Sequence, residues 1–237
     1  MTAVFFVLAA LLGGLVGLGA DYAVFRFAPE GEGEPGLYKL KGIVKPSVFI
    51  EIIFSALIFV VIYARFGISV ELPFALYISA ILTAVFFIDL KYRIIPDEFV
   101  LAGIAGGIAA LICNIFRPLS FMAGPEWWNP LLGVAVGSGF LFIVALIGML
   151  IYGGEGAMGM GDVKIYAAIG LFLGWKLTIE SLFITMFIGG IVSVILLVTK
   201  IKGRKDAIPF GPFIVIGALI VLLFGTEILR LYLYGII

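Results

Sequence analysis

The sequence predicts an all-α, polytopic integral membrane protein with about eight spanning helices and both termini on the extracytoplasmic side. Three observations lead there. Hydrophobic residues fill 63% of the 237 positions and charged residues only 13%, where soluble chains carry about 45–50% and about 25%. The apolar residues gather in runs that reach the ~20 residues needed to cross about 30 Å of hydrocarbon. The basic residues fall unevenly between alternate connectors. Such runs consume almost the whole chain, so one membrane-embedded domain is expected over residues 1–237.

Composition also excludes chemistry. The sequence has no histidine and one cysteine, which removes Ser-His-Asp and Cys-His catalysis and His-ligated zinc. Cys113 sits inside an apolar run, so neither a disulfide framework nor a thiolate metal cluster is expected. No metal and no nucleic-acid partner are anticipated; the lipid bilayer is the first partner.

The first run, about residues 4–27, is too long and lacks the basic start of a cleaved signal, so it is expected to span. Its Gly13, Gly14, Gly17 and Gly19 are small residues of the kind that let helices approach closely in lipid. Asp21 lies near its end. Residues 28–46 form a short connector rich in Gly, Pro and Glu, with Glu32 and Glu34 expected in solvent. Spans follow at about 47–66, which contains Glu51, and 71–89, which ends on Asp89. After the connector 90–96, Pro96-Asp97-Glu98 opens a fourth span with proline and acids in its first turn. That span ends near Arg117. Trp127 and Trp128 mark residues 118–129 as an interfacial loop, and a fifth span covers about 130–152.

Gly159-Met160-Gly161-Asp162 then precedes a run over about 162–175. A helix of about 14 residues rises only ~21 Å, so the glycine-rich segment is expected to supply part of the crossing in non-helical form. Such backbone persists at depth only where protein or a water-lined cavity shields it. Asp162 is therefore expected at the edge of such a cavity, and Asp also suits a helix N-cap. A seventh span covers about 178–199, a basic turn 200–206, and Pro209-Phe210-Gly211-Pro212 opens an eighth that ends near 234.

Eight spans place both termini on one side. Arg26, Lys39, Lys41, Lys45, Lys91, Arg93, Lys164, Lys200, Lys202, Arg204 and Lys205 fall on the opposite side; Arg65, Arg117, Lys176 and Arg230 fall with the termini. Eleven of the 15 basic residues thus share one face, which the positive-inside rule makes cytoplasmic. Asp89 and Asp162 both end up at that face.

A charged Asp at the centre of a spanning helix costs roughly 2.5–3.5 kcal/mol on insertion scales, so two of them call for an account. Two carboxylates in proximity share one proton. One then serves as general base toward water while the other, protonated, polarises a carbonyl. Asp89 and Asp162 are the candidate catalytic pair. Gly159 and Gly161 would let an extended substrate backbone approach.

Gly159-Met160-Gly161-Asp162 resembles the signature of the GxGD intramembrane aspartyl proteases. Asp89-Leu90-Lys91-Tyr92-Arg93-Ile94-Ile95-Pro96-Asp97 is similar to the first-aspartate segment of the type IV prepilin peptidases. Val163-Lys164 with the downstream Ala-Ala-Ile-Gly, and Ile208-Pro209-Phe210-Gly211-Pro212, resemble that family too. Gly17, Asp21 and Arg26 fall at the spacing of its N-terminal Gly, Asn and Arg, with Asp in place of Asn. The resemblance implies a multi-pass protein of the inner (cytoplasmic) membrane that cleaves basic leaders from type IV prepilin or pseudopilin precursors at the cytoplasmic face. It places the catalytic pair on Asp89 and Asp162 and needs no cofactor for proteolysis. S-adenosylmethionine would enter only if methylation of the new N-terminus is retained. The paired CxxC motifs of the bacterial zinc-binding insertion are absent, and the 28–46 connector stands in their place.

Asp97, Glu98 and Glu155 are placed to attract a basic leader electrostatically. As plain first-turn helix residues, Asp97 and Glu98 need no such role. Lys164 is expected to anchor at the interface by snorkelling, and its charge falls near Asp162. Asp21 and Glu51 need polar company inside the bundle. The competing functions are a GxGD protease for an archaellin-type or other membrane substrate and, from another class, a proton- or cation-coupled transporter.

Overall fold

A computed structural model describes residues 2–28, 46–152, 159–203 and 208–235. The described chain is helical, and seven helices among the described residues are long and apolar enough to cross a membrane. The protein is a polytopic all-α membrane protein. Two compact units divide it, residues 1–96 and 97–237.

The first unit holds α1 (Thr2–Arg26), α2 (Pro46–Phe66) and α3 (Glu71–Tyr92). Glycine sets the closeness of α1 to α2. A Cβ on Gly13 would stand 2.6 Å from the Ser55 carbonyl oxygen, and one on Gly17 would stand 2.6 Å from the Ile52 Cα. Two glycines one turn apart therefore let the backbones meet, the contact that replaces hydrophobic driving force between helices in lipid. At the far end the Phe6 ring meets Tyr63 edge-on at 4.9 Å. The pair is antiparallel along its whole length. Phe54 of α2 stacks on Phe86 at 5.0 Å and meets Phe87 edge-on at 5.5 Å, which fixes the register of α2 against α3.

The second unit holds α4 (Asp97–Phe116), a 3-10 turn at Ser120–Met122, α5 (Asn129–Tyr152), α6 (Met160–Val198) and α7 (Gly211–Tyr234). The 39-residue α6 is not one rod. At Gly174 the backbone takes φ 69° and ψ 171°, outside the helical region, and the chain reverses there. Tyr166 before the break bonds Thr185 after it at 2.9 Å, although 19 residues separate them. A straight helix would hold those residues about 28 Å apart. The two arms, 160–173 and 175–198, therefore lie antiparallel, where the sequence had placed a sixth and a seventh span.

Why the chain can reverse on one residue is a matter of glycine and asparagine. That φ/ψ combination is essentially closed to L side chains. A Cβ on Gly174 would also strike Asn129, 2.8 Å from its Cγ. Asn129, 2% exposed, uses its Oδ1 to accept the Trp175 backbone N–H at 3.0 Å and its Nδ2 to donate to the Met122 carbonyl at 2.6 Å. It thereby caps the start of the second arm, whose first amides have no helical partner. The segment before α5 is also less superficial than its tryptophans suggest. Trp127 and Trp128 are exposed as expected of an interfacial loop, but Leu119, Phe121 and Met122 are buried in the unit.

Close backbone approach continues around the first arm. Gly133 of α5 and Gly170 face each other so tightly that a Cβ on Gly170 would come 2.6 Å from the Val134 nitrogen. Ser138 of α5 donates to the Val163 carbonyl at 2.8 Å. On the other flank, Gly103 and Gly107 of α4 face Ala168 and Leu171. The second arm packs antiparallel on α7, with Gly217 against Ser181 and Thr185. The first arm is thus clamped by three glycine-mediated contacts, which gives the residue at its start a rigid mount.

Candidate active site

That residue is Asp162. Gly159 is the N-cap of α6, extended at φ −69° and ψ 137°, with no side-chain capping bond. Asp162 is then the third helical residue and not the cap, and its N–H donates to the Gly159 carbonyl at 3.1 Å. A carboxylate in the first turn faces the positive end of the helix dipole. Its Oδ2 would lie 3.4 Å from a Cβ at Gly159, so the carboxylate folds back over the glycine. Asp162 is 8% exposed. Neither glycine of the motif needs a dihedral closed to other residues: Gly159 has an ordinary extended backbone and Gly161 lies within the helix. What Gly159 contributes is the absence of a side chain beside the acid. The non-helical crossing expected of residues 153–158, and the leader-attracting role of Glu155, lie outside the described residues.

Lys164 is paired with Asp97. Its ammonium donates to both carboxylate oxygens of Asp97 at 2.7 and 3.0 Å. At about 100° per residue, Asp162 and Lys164 point to nearly opposite sides of the arm. Lys164 and Asp97 are 46% and 63% exposed and sit at the edge of an apolar groove of about 280 Å³ lined also by Val100, Leu101, Ile104 and Ala167. Asp97 and Glu98 occupy the first turn of α4, the position their sequence context suggested. The pairing uses Asp97 as a neighbour for Lys164, which weakens its attraction for a cationic peptide.

Asp89 lies in the first unit. α3 runs one turn beyond the expected end at residue 89, to Tyr92. Arg93 closes it in the left-handed region at φ 58° and ψ 40° and donates its N–H to the Asp89 carbonyl at 2.9 Å. Asp89 therefore sits inside the last turn, 5% exposed, at the end of the dipole that disfavours an anion. Lys91, in the same turn, lies 4.8 Å from the Tyr92 ring centre.

Among the described residues the acids buried as whole residues are Glu51, Asp89 and Asp162; Glu180, half-buried, also has both carboxylate oxygens inside. Glu51 is at the same depth as Asp89, because three residues along antiparallel helices from the Phe54–Phe86 contact lead to both. Its Oε2 is buried without a hydrogen-bond partner among the described residues, and so is the Ser55 hydroxyl one turn away. Sequence alone marked Glu51 only as a residue needing polar company. Tyr166, wholly buried with its hydroxyl on Thr185 and Ser181, and Asn129 went unmarked. The available signals were an Asn just before a helix-opening proline and hydroxyl residues recurring on one face of an apolar run. Among the described residues no group of three His, Cys, Asp or Glu side chains could hold a metal ion.

With this geometry in place, the relatives become informative. The model of the type IV leader peptidase family matches residues 76–194, a stretch that contains Asp89 and Asp162. Proteins named prepilin leader peptidase/N-methyltransferase are similar to the chain. That of Legionella pneumophila is 32% identical over 169 residues, 71% of this chain and 55% of that protein. That of Bacillus subtilis (strain 168) is 31% identical over 178 residues, 75% and 66%, and that of Pseudomonas putida 32% over 173 residues, 73% and 57%. The chain spans between about half and two thirds of the length of these relatives. No solved structure matches it. The family model extends over half of the chain and takes in both buried aspartates, and the chain belongs to the type IV leader peptidase family.

Proposed function

We propose that the chain is an aspartyl endopeptidase that removes the basic leader from type IV prepilin-like precursors at the cytoplasmic face of the inner membrane. The observation that carries the reading is the burial of Asp89 and Asp162, 5% and 8% exposed, each within one turn of the end of an apolar helix and both inside the matched stretch. Burial of two acids next to the apolar phase is costly, and proteolysis uses it. In the proposed mechanism they work as one pair with a single proton between them. The ionised member takes a proton from water as its oxygen attacks the scissile carbonyl, and the protonated member hydrogen-bonds the carbonyl oxygen. The nitrogen leaves with a proton returned by the pair.

The reading has eight crossings, counting each arm of α6 as one, with both termini outside. The reversal at Gly174 and the placement of eleven of the 15 basic residues on one side support it. The reading takes residues 1–237 as one peptidase domain, and a family match that begins in the first unit and ends in the second supports it. Proteolysis consumes only water, and S-adenosylmethionine enters only if the relatives' second named activity is shared; the reading assigns no residue to it. The test is incubation of the purified chain in detergent with a prepilin-type precursor and mass analysis of the products. A single cut that frees the basic leader is expected. An intact precursor under conditions where a known leader peptidase cleaves it would refute the assignment.

A further inference from the structure

Glu51 has no part in the mechanism above, yet its surroundings are those of a binding group. It is 5% exposed and sits in the second turn of α2, at the depth of Asp89. The charges of Asp21 and Lys91 both reach it. Three acids, Asp21, Glu51 and Asp89, thus occupy this end of the first unit, with Lys91 as the nearby cation. Among the described residues nothing donates a hydrogen bond to the buried Glu51 Oε2, and the buried Ser55 Oγ, one turn away on the same face of α2, has no partner among them. A buried carboxylate oxygen left without a donor is expensive, on the order of 1–3 kcal/mol or more. Gly17 brings α1 against the Glu51 backbone, 2.7 Å from its carbonyl oxygen to a Cβ at Gly17, so close packing fixes the base of the side chain. Asp89, at whose depth Glu51 lies, is followed directly by exposed Leu90 and Lys91 at the end of α3.

From this we infer that Glu51 is the recognition residue for a primary ammonium group of the substrate, bound beside Asp89. The inference rests on the leader-peptidase reading for the identity of the substrate. Two parts of a cleaved precursor carry such a group. One is a lysine of the leader. The other is the amine that cleavage creates: water's oxygen bonds the acyl carbon, the C–N bond breaks, the nitrogen leaves with a proton from the aspartate pair and takes another from solvent. Either cation, entering an apolar bundle, requires a counter-ion. The unpartnered Glu51 oxygen supplies one, with the Ser55 hydroxyl as a further acceptor.

Binding of fluorescent synthetic peptides to the full chain in lipid nanodiscs tests this without turnover. One peptide pair carries the leader with lysine or with norleucine; the other carries the mature N-terminus free or acetylated. The wild type should prefer at least one ammonium form by about tenfold, the scale of a charge-assisted hydrogen bond. Glu51→Gln should reduce that preference to about twofold or less while the apolar analogue binds as before, and Glu51→Asp should fall between. Which pair responds identifies the source of the ammonium. Unchanged preferences in Glu51→Gln, with the variant folded by size-exclusion and thermal melting, would overturn the inference. Cleavage of a precursor by the same wild-type sample separates the two readings. Cleavage with unaltered preferences sinks only the role of Glu51, and no cleavage sinks the peptidase.

Discussion

Replacing Gly174 with alanine should be among the most damaging single-methyl changes in the molecule. The residue sits at φ 69° and ψ 171°, a region that costs an L side chain about 1–3 kcal/mol. The new Cβ would also meet Asn129, 2.8 Å from its Cγ and its Nδ2, and so push away the side chain that bonds Trp175 and Met122 at 3.0 and 2.6 Å. Each such bond contributes about 0.5–1.5 kcal/mol. The sum is about 2–6 kcal/mol, a large part of the 5–15 kcal/mol by which domains are usually stable. Unfolding in mixed micelles with increasing SDS reads the loss. Asn129→Ala should cost about 1–3 kcal/mol because it breaks the bonds without the strain. In the double variant the collision disappears, so its loss should be smaller than the sum of the two singles. Gly190→Ala is the control: among the described residues nothing lies within 4 Å of a Cβ there, so the change should be under about 1 kcal/mol and stabilising. A Gly174→Ala protein within about 1 kcal/mol of wild type would refute the hairpin and the cap together.

Other expectations follow from the same contacts. Gly17→Val would drive a side chain into the α2 backbone, 2.6 Å from the Ile52 Cα and 2.7 Å from the Glu51 oxygen. It should separate α1 from α2 at a loss of about 1–3 kcal/mol or more, visible as a lower SDS midpoint and faster proteolysis; Gly19→Val, facing open space, should not. Asp97→Asn and Lys164→Met should each change stability by less than about 1 kcal/mol, since an exposed ion pair contributes little. A larger thermal shift in either variant would show the pair to be structural. If Asp97 still attracts a basic leader, Asp97→Asn should raise KM at low ionic strength and leave kcat unchanged, the difference fading in high salt.

Much of this was legible before any coordinates, for a physical reason: in lipid the backbone must satisfy itself, so an apolar run of adequate length is a helix. The limits of α2, α4, α5 and α7 lie within about two residues of the runs that predicted them. Asp162 and Asp89 were visible as acids where the apolar phase penalises acids. What sequence hid was set by contacts distant along the chain. The loop expected between the arms of α6 is a single glycine, because Asn129, 46 residues from Trp175, supplies the cap a longer turn would otherwise contain. Asp162 stands inside the first turn because Gly159 takes the capping position with ordinary dihedrals. Sequence places Lys164 at the interface and near Asp162 but cannot show its ion pair with Asp97, 67 residues away. Glu51 gained its interest only when α2 and α3 were placed in register.

The claim on which the rest depends is that Asp89 and Asp162 perform one reaction. Single-turnover cleavage of a prepilin-type precursor by Asp89→Asn, Asp162→Asn and the double variant measures it most directly. Each single variant should fold and insert as wild type does and lose at least about a thousandfold in rate, and the double variant should lose no more than the worse single one, as groups acting as a unit do. A single variant that keeps a tenth or more of the wild-type rate, or losses that multiply in the double variant, would contradict the account.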